Sequence, residues 1–268
     1  YTVDAKAEFV EDYCWAAVRA NGDYQGYPIS TSIARPLIAI KAVEKAQELG
    51  ATSFGHGCTG KGNDQFRIEY VMRTLMPDAE IIAPMREGRL MPDGSRSPWT
   101  RTEEIDYGNN HGLNISHTKD KIWSIDENIW GRSIEGGRLE EPNYEPPEEI
   151  FQWTKSIADA NDQPRTLTVG FENGVPVSLD GQKYTPLDLV IEVHKIAGEN
   201  GVGRVDVMED RMLGLKVREN YECPAAVVLL MAHKALEALV CTQSERKFKG
   251  SVDQEWGELA YKLSLIHI

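Results

Sequence analysis

Residues 51–67 read ATSFGHGCTGKGNDQFR, and the interpretation of this stretch decides the fold. "ATSFG" has the composition of a short strand, its glycines announce a turn, and the pattern from about Asn63 to Leu75 predicts a helix. A strand, a glycine-rich loop and a helix N-terminus make a general anion site, because unpaired amides point outward and the helix dipole favours negative charge. Gly55 to Lys61 satisfies GxxxxGK, but Gly62 stands where a P-loop NTPase needs Ser or Thr for its magnesium ion. The Walker A reading is therefore rejected. Two readings stay open on these residues alone: an anion site served by Thr59, Lys61, Asn63 and Asp64, or a plain tight turn capped by Asn63 or Asp64.

Working outward, Asp4 is a plausible N-cap for a helix with apolar residues at Phe9, Val10, Tyr13, Cys14, Ala17 and Val18. A second helix begins near Ser32, a candidate cap, carries Pro36 in its first turns and ends at Gly50. "AEIIAP", Ala79 to Pro84, predicts another strand. Helix, strand, loop, helix, strand implies an α/β unit with a parallel sheet, and ligands of such sheets sit beyond the carboxyl ends of the strands. Met85 to Thr102 reads as a surface loop, Glu103 to Asn110 as a short helix, Leu113 to His117 as a strand, and Trp123 to Pro147 as an irregular segment long enough to be functional.

The remainder changes character. Asn173 and Gly174 separate two alternating runs, a strong hairpin signal. Thr185 and Pro186 open a helix that ends near Gly198, "RVDVMEDRMLGLKV" predicts paired strands, and Pro224 opens a mostly apolar helix to about Val240. Ser244 to Leu259 forms a last helix with Phe248, Val252, Trp256 and Leu259 on one face. This second unit is α+β.

A formal net charge of -13 and a pI near 5.0 argue against an electrostatic footprint for nucleic acid or an anionic membrane, while leaving small anionic substrates open. The 4 cysteines show no CxxC spacing and the 6 histidines no zinc pattern, so reduced thiols and no metal site are expected. The longest apolar run, Ala225 to Ala232, is far short of the roughly 20 residues a span requires, and the chain reads as soluble and cytoplasmic.

Five segments, "YPISTSIARPLIA", "GHGCTGKGNDQFRIE", "SIDENIWGRSIEGG", "GVGRVDVMEDRMLGLKVR" and "YECPA", resemble in order and spacing the signature segments of argininosuccinate synthase, over about Val3 to Tyr261. The resemblance implies an adenine-nucleotide α-hydrolase-like parallel sheet with helices on both faces, over 1–117, followed by an α+β synthetase domain over 118–262. It implies an ATP-dependent ligase of arginine biosynthesis: the citrulline ureido oxygen attacks the α-phosphate, pyrophosphate leaves, and the aspartate amine then displaces AMP to give argininosuccinate. Magnesium is expected on the phosphates and a homotetramer for the complete protein.

By position, Gly55, His56, Gly57, Cys58, Thr59, Gly60, Lys61, Gly62 and Asn63 correspond to ATP-binding surface, and Thr59, Asn63 and Asp64 to aspartate contacts. Tyr27, Ser32, Asn63, Arg67, Ser124, Ser133, Glu209 and Tyr221 match citrulline contacts. Glu209 suits the citrulline ammonium and Arg67 its carboxylate, with Arg67 one helical turn after Asn63. Arg35 is assigned to phosphate stabilisation and Asp64 to orienting the attacking groups, both as catalytic positions; no residue is an obvious general base. Taken singly, each has a plain structural reading as a cap, a packed ring or a solvated ion pair; a zwitterionic ligand gives them a joint reason to be there.

The sequence also departs from the family. Nothing like its SGGLDTS phosphate loop occurs here, and the family's C-terminal oligomerising segment is missing, so a fragment unable to complete catalysis alone is expected, with its tetramer formation open. Residues 263–268 read as a non-native tail. Met85 stands where Trp is usual, Asp210 where Asn is usual, and "VREN" replaces "SRG" before Tyr221. The remaining alternatives are a non-catalytic amino-acid or nucleotide-binding relative, and another adenylating enzyme of the same fold.

Overall fold

The computed structural model describes residues 1–60, 62–97, 99–113 and 123–263. The expected strand over Leu113 to His117, the tail beyond Leu263 and the lysine of the glycine loop, Lys61, thus lie wholly or mostly outside the described residues.

The chain opens with helix α1 (Lys6–Glu8), which continues as a π-helical segment over Phe9–Cys14 and then as α2 (Trp15–Arg19). Phe9, Val10, Cys14, Ala17 and Val18 are buried, as their spacing predicts. Helix α3 (Thr31–Leu49) ends at Gly50, whose φ of 64° is the left-handed stop. The sequence places its N-cap at Ser32; the structure places it at Ser30, and Ser32 is a buried helical residue whose Oγ has no partner among the described residues. The reason is Tyr27: its hydroxyl accepts the amides of Ser30 (2.6 Å) and Thr31 (2.9 Å) and so caps the helix itself.

Strand β1 (Ser53–Gly55), helix α4 (Asp64–Leu75) and strand β2 (Glu80–Ile82) follow as predicted, and β1 pairs in parallel with β2. Val43, Ala46, Phe54 and Met72 bind the pair to α3 and α4 in a small core of their own. The segment read as a loop after β2 contains helix α5 (Pro84–Glu87) and the hairpin β3 (Arg89–Leu90) with β4 (Arg96–Ser97). Helix α6 (Arg101–Asn110) starts on a capping box between Thr100 and Glu103.

The segment from Trp123, read as irregular, instead begins with strands β5 (Ser124–Glu127) and β6 (Arg132–Glu135). Asn128 reverses the chain between them: its Oδ1 accepts the amides of Trp130 (2.8 Å) and Gly131 (3.3 Å). These strands are short and rich in charge, which hides their alternation. The 3₁₀ turns at Gly137–Glu140 and Glu148–Ile150 then cross the sheet, with Leu139 and Ile150 packing on Ile134.

Strands β7 (Val169–Glu172) and β8 (Val175–Leu179) form the predicted hairpin, with positive φ at both Asn173 (52°) and Gly174 (76°), and β9 (Gln182–Lys183) adds a third strand. Thr185 caps helix α7 (Pro186–Glu199) by accepting the Asp188 amide. Strands β10 (Arg204–Asp210) and β11 (Lys216–Glu222) complete an antiparallel sheet in the order β10-β11-β6-β5. Gly203 permits this sheet to meet helix α8 (Pro224–Val240): at its φ of 126° an added Cβ would lie 2.5 Å from Pro224 Cα.

Helix α9 (Gln243–Tyr261) corrects the expected apolar face. Phe248 and Val252 are exposed, whereas Gly257, Ala260 and Tyr261 are buried, because only the C-terminal end of the helix reaches the core. The contact is close enough that a Cβ on Gly257 would stand 2.2 Å from the Asp23 carbonyl. The principal core draws on α2, α3, α7, α8, Tyr221 and Tyr261 together, so early and late parts of the chain share one apolar interior. No helix among the described residues is long and apolar enough to cross a membrane.

Candidate active site

The glycine loop leaves the carboxyl end of β1 and meets one face of the β10-β11-β6-β5 sheet across a cavity of about 340 Å³. Its lining includes Tyr27, Arg35, Cys58, Thr59, Gly62, Asn63, Asp64, Arg67, Ser124, Ser133, Glu209 and Tyr221. Most of the side chains singled out in the sequence therefore converge, although they come from the loop before α3 and from α3, α4, β5, β6, β10 and β11. A wider cleft of about 780 Å³ lies beside α8 and α9, but its charges largely satisfy one another: Lys249 pairs with Glu237 and Asp253, and Lys262 with Glu258. It contains none of the motif residues except Asp210.

Register explains how the sheet contributes. Ser133 on β6 lies opposite Asp126 on β5 and opposite Tyr221 on β11, so one row of the sheet carries all three. The Tyr221 hydroxyl donates to Glu209, and Tyr261 donates to the other Glu209 oxygen at 2.8 Å. Burial raises the Glu209 carboxyl above its ordinary range, while the two hydroxyls and the charges of Arg67 and Arg211 pull it back down. Tyr27 stacks on Tyr221 with 4.1 Å between ring centres, and burial beside Glu209 raises its phenol to about 12.

Asn63 is not the helix cap that one of the two readings of the glycine loop made it. It starts α4, but its side chain caps nothing. Its Nδ2 donates to the Tyr261 hydroxyl (2.9 Å) and its Oδ1 accepts the Met212 amide (3.1 Å), so it ties the loop to distant elements. Arg67 is buried rather than paired on the surface with Glu69. It makes long contacts to the Thr31 hydroxyl (3.3 Å), the Tyr261 carbonyl (3.3 Å) and Asp64 (3.5 Å), and its Nε has no acceptor among the described residues. Glu69 instead receives His56 (3.0 Å), Arg73 and Arg86; burial alone would raise its carboxyl, but these partners hold it below the ordinary range.

Not every predicted residue reaches the cavity. Ser32 is sealed inside α3, and His56 turns toward Glu69. Gly55, Gly57 and Gly60 form the loop without lining the cavity. Arg35 does line it, clamped between Asp64 (2.8 Å) and Asp126. Burial opposes the Arg35 charge, and the two carboxylates more than restore it. Asp126, inside a quoted motif but unassigned from the sequence, is thus part of the site, and burial raises its carboxyl.

Glu135, Arg211 and Glu219 form a further corner that the sequence did not reveal. Arg211 bonds to both Glu135 and Glu219, yet burial and the adjacent Glu135 push Glu219 up to about 9. As pH rises from the ordinary value of 4.5 toward about 9, the unfolded chain loses this proton before the folded one does, so folding stability falls across that window. Glu219→Gln keeps a hydrogen-bond donor toward Glu135 without the titration. It is expected to match the parent below pH 4.5 and to gain on it progressively up to about pH 9, in urea unfolding followed by circular dichroism. An offset independent of pH would show that Glu219 does not hold the proton.

Among the described residues no group of three or more His, Cys, Asp or Glu stands together to hold a metal ion. The cysteines are free thiols, with Cys14 and Cys223 buried.

Comparison with known proteins gives the family of the chain. The arginosuccinate synthase N-terminal HUP domain matches residues 1–114, and the arginosuccinate synthase C-terminal domain matches residues 123–266. Argininosuccinate synthase of Methanosarcina barkeri is 59% identical over 261 residues, covering 97% of this chain and 63% of the relative. That of Methanosarcina acetivorans is 58% identical with 97% and 64% covered, and that of Pyrococcus furiosus 52% identical with 97% and 61% covered. The chain thus spans somewhat less than two thirds of the length of these relatives. With two domain models that together cover nearly the whole chain and relatives of this similarity over 97% of it, the chain belongs to the argininosuccinate synthase family.

Proposed function

We propose that the protein carrying this chain joins citrulline to aspartate at the expense of ATP, through a citrullyl-adenylate, releasing pyrophosphate and then AMP. The observation that carries the reading is the convergence of Arg67 and Glu209 on one cavity of amino-acid size, with Tyr27, Asn63, Ser124, Ser133 and Tyr221 between the elements that supply them. A zwitterion needs a cation for its carboxylate and an anion for its ammonium. Arg67 provides the first with a donor still to be satisfied, and Glu209 the second.

In this reading Thr59, Asn63 and Asp64 receive aspartate at the start of α4, and the loop Gly55 to Asn63 faces ATP with its amides. Magnesium would travel on the phosphates. Arg35, held ready by Asp64 and Asp126, would exchange a carboxylate for a developing negative charge as the ureido oxygen attacks. Catalysis would then rest on positioning and charge neutralisation more than on a dedicated base. The boundary near residues 117 and 118, a cytoplasmic location and assembly as a homotetramer belong to the same proposal.

The test uses the product of the complete reading frame and follows pyrophosphate release from ATP with citrulline, with and without aspartate. Citrulline-dependent release, with argininosuccinate formed only on adding aspartate, is the expected result. Absence of release by folded protein would overturn the ligase reading in favour of a non-catalytic binding relative or a different acceptor.

A further inference from the structure

Glu209 sits between two stacked tyrosine pairs. Tyr27 stacks on Tyr221, and Tyr24 stacks on Tyr261 with ring centres 3.7 Å apart and planes 11° from parallel. Tyr24 and Tyr27 close one short loop by mutual backbone bonds of 3.0 Å, so a single turn backs both stacks. Each stack sends one hydroxyl to the Glu209 carboxylate.

Tyr261 does more than its counterpart. Its hydroxyl donates to Glu209 (2.8 Å) and accepts from Asn63 Nδ2 (2.9 Å), its carbonyl accepts from Arg67 Nη2 (3.3 Å), and the Arg67 guanidinium lies 5.0 Å from its ring centre. One residue at the end of α9 thereby touches three side chains from two other elements, and each of the three is matched to citrulline. A hydroxyl shared between an amide donor and a carboxylate acceptor has a fixed hydrogen direction, so it fixes both partners at once.

We infer that Tyr261 is a positioning residue of the amino-acid pocket, orienting Glu209 and Asn63 for the ligand through its hydroxyl while its carbonyl and ring seat Arg67. The inference rests on the citrulline reading of this cavity given above. Nothing in the sequence near Tyr261 marks it: it follows the segment YECPA by 36 residues, counting from Ala225, and lies just beyond the last helix expected from the sequence, Ser244 to Leu259.

Tyr261→Phe tests it, because phenylalanine preserves the stack on Tyr24 and the main-chain carbonyl and removes only the shared hydroxyl. In the full-length enzyme the citrulline KM is expected to rise about tenfold, the scale for a lost hydrogen bond to a charged group, with kcat and the ATP KM changed less than about threefold. Thermal melting checks that the variant is folded. Tyr261→His, which keeps one ring donor, is made alongside and is expected to fall between the parent and Y261F in citrulline KM. A folded Y261F with unchanged citrulline KM, or with citrulline KM, ATP KM and kcat all impaired by one factor, would overturn the positioning role. Citrulline-dependent turnover by the unaltered protein in the same assay separates that failure from a failure of the citrulline reading, which would show as no such turnover at all.

Discussion

Replacing Glu222 by alanine is expected to cost about 3–5 kcal/mol of folding stability, the range for removing one partner of a buried ion pair. Glu222 is 0% exposed and Arg132, its partner at 2.9 Å, is 1% exposed. Besides that guanidinium, the carboxylate accepts the amides of Gln152 (3.0 Å), Trp153 (2.8 Å) and Thr154 (2.9 Å) and the Thr154 hydroxyl (2.8 Å). One side chain at the end of β11 thus terminates a whole crossing segment for which no regular ladder exists. Alanine would leave Arg132 with the Ile150 carbonyl and Glu127 as its remaining partners and would strip three consecutive amides of their acceptor. Since folded domains are stable by only about 5–15 kcal/mol, the variant should unfold at a much lower urea concentration. A loss below about 1 kcal/mol would mean that the segment 150–154 is held by other contacts.

On the proposed citrulline reading, Arg67→Ala in the complete protein is expected to reduce kcat/KM for citrulline by about 1.5–3 kcal/mol, the worth of a charge-assisted hydrogen bond, or roughly 10- to 150-fold. The side chain is 3% exposed, yet its polar contacts within the protein are all at or beyond 3.3 Å, so a carboxylate ligand has shorter bonds to offer it. Arg67→Lys should recover only part of the loss, because an ammonium keeps the charge without the planar fork. Unchanged citrulline kinetics in a folded alanine variant would remove Arg67 from the carboxylate site and count against the reading of the cavity.

The fold was legible where local chemistry speaks for itself. Gly50, the Asn173-Gly174 pair, Thr185 before Pro186 and Pro224 each mark a boundary that the structure respects, because a left-handed φ, a hairpin twist or a missing amide has few alternatives. Strands β5 and β6 were not legible: their residues are chosen by pairing with each other, by the pairing of β6 with β11 and by the cavity, and none of these shows in a run as polar as SIDENIWGRSIE. Ser32 was misread for a related reason, since the capping hydroxyl belongs to Tyr27, which packs back onto the helix it precedes.

Most of the candidate site was named through resemblance rather than through the residues' own patterns. The physical reading of Asn63 as a cap was sound locally and was displaced by two long-range bonds that no local rule contains. Asp126, Glu135, Arg211 and Glu219 escaped because a charged residue in a strand or turn is ordinarily solvated; only the folded chain shows that these face one another across a confined space.

The bond between Asn63 and Tyr261 joins residues 198 positions apart, and that of Arg132 with Glu222 joins residues 90 apart. Closing loops of this length costs chain entropy before any contact rewards it, so these links are expected to form after the local ones. On the ribosome, β1 and α4 emerge and can pair with their neighbours while the pocket they face still has no far wall. The apolar side of α2 must likewise wait for α8 to cover it, exposed meanwhile to chaperones and to other nascent chains. The cavity is therefore an attribute of nearly the whole described chain, closed only once the residues from Tyr27 to Tyr261 have all been made, and cannot be formed by the glycine loop alone.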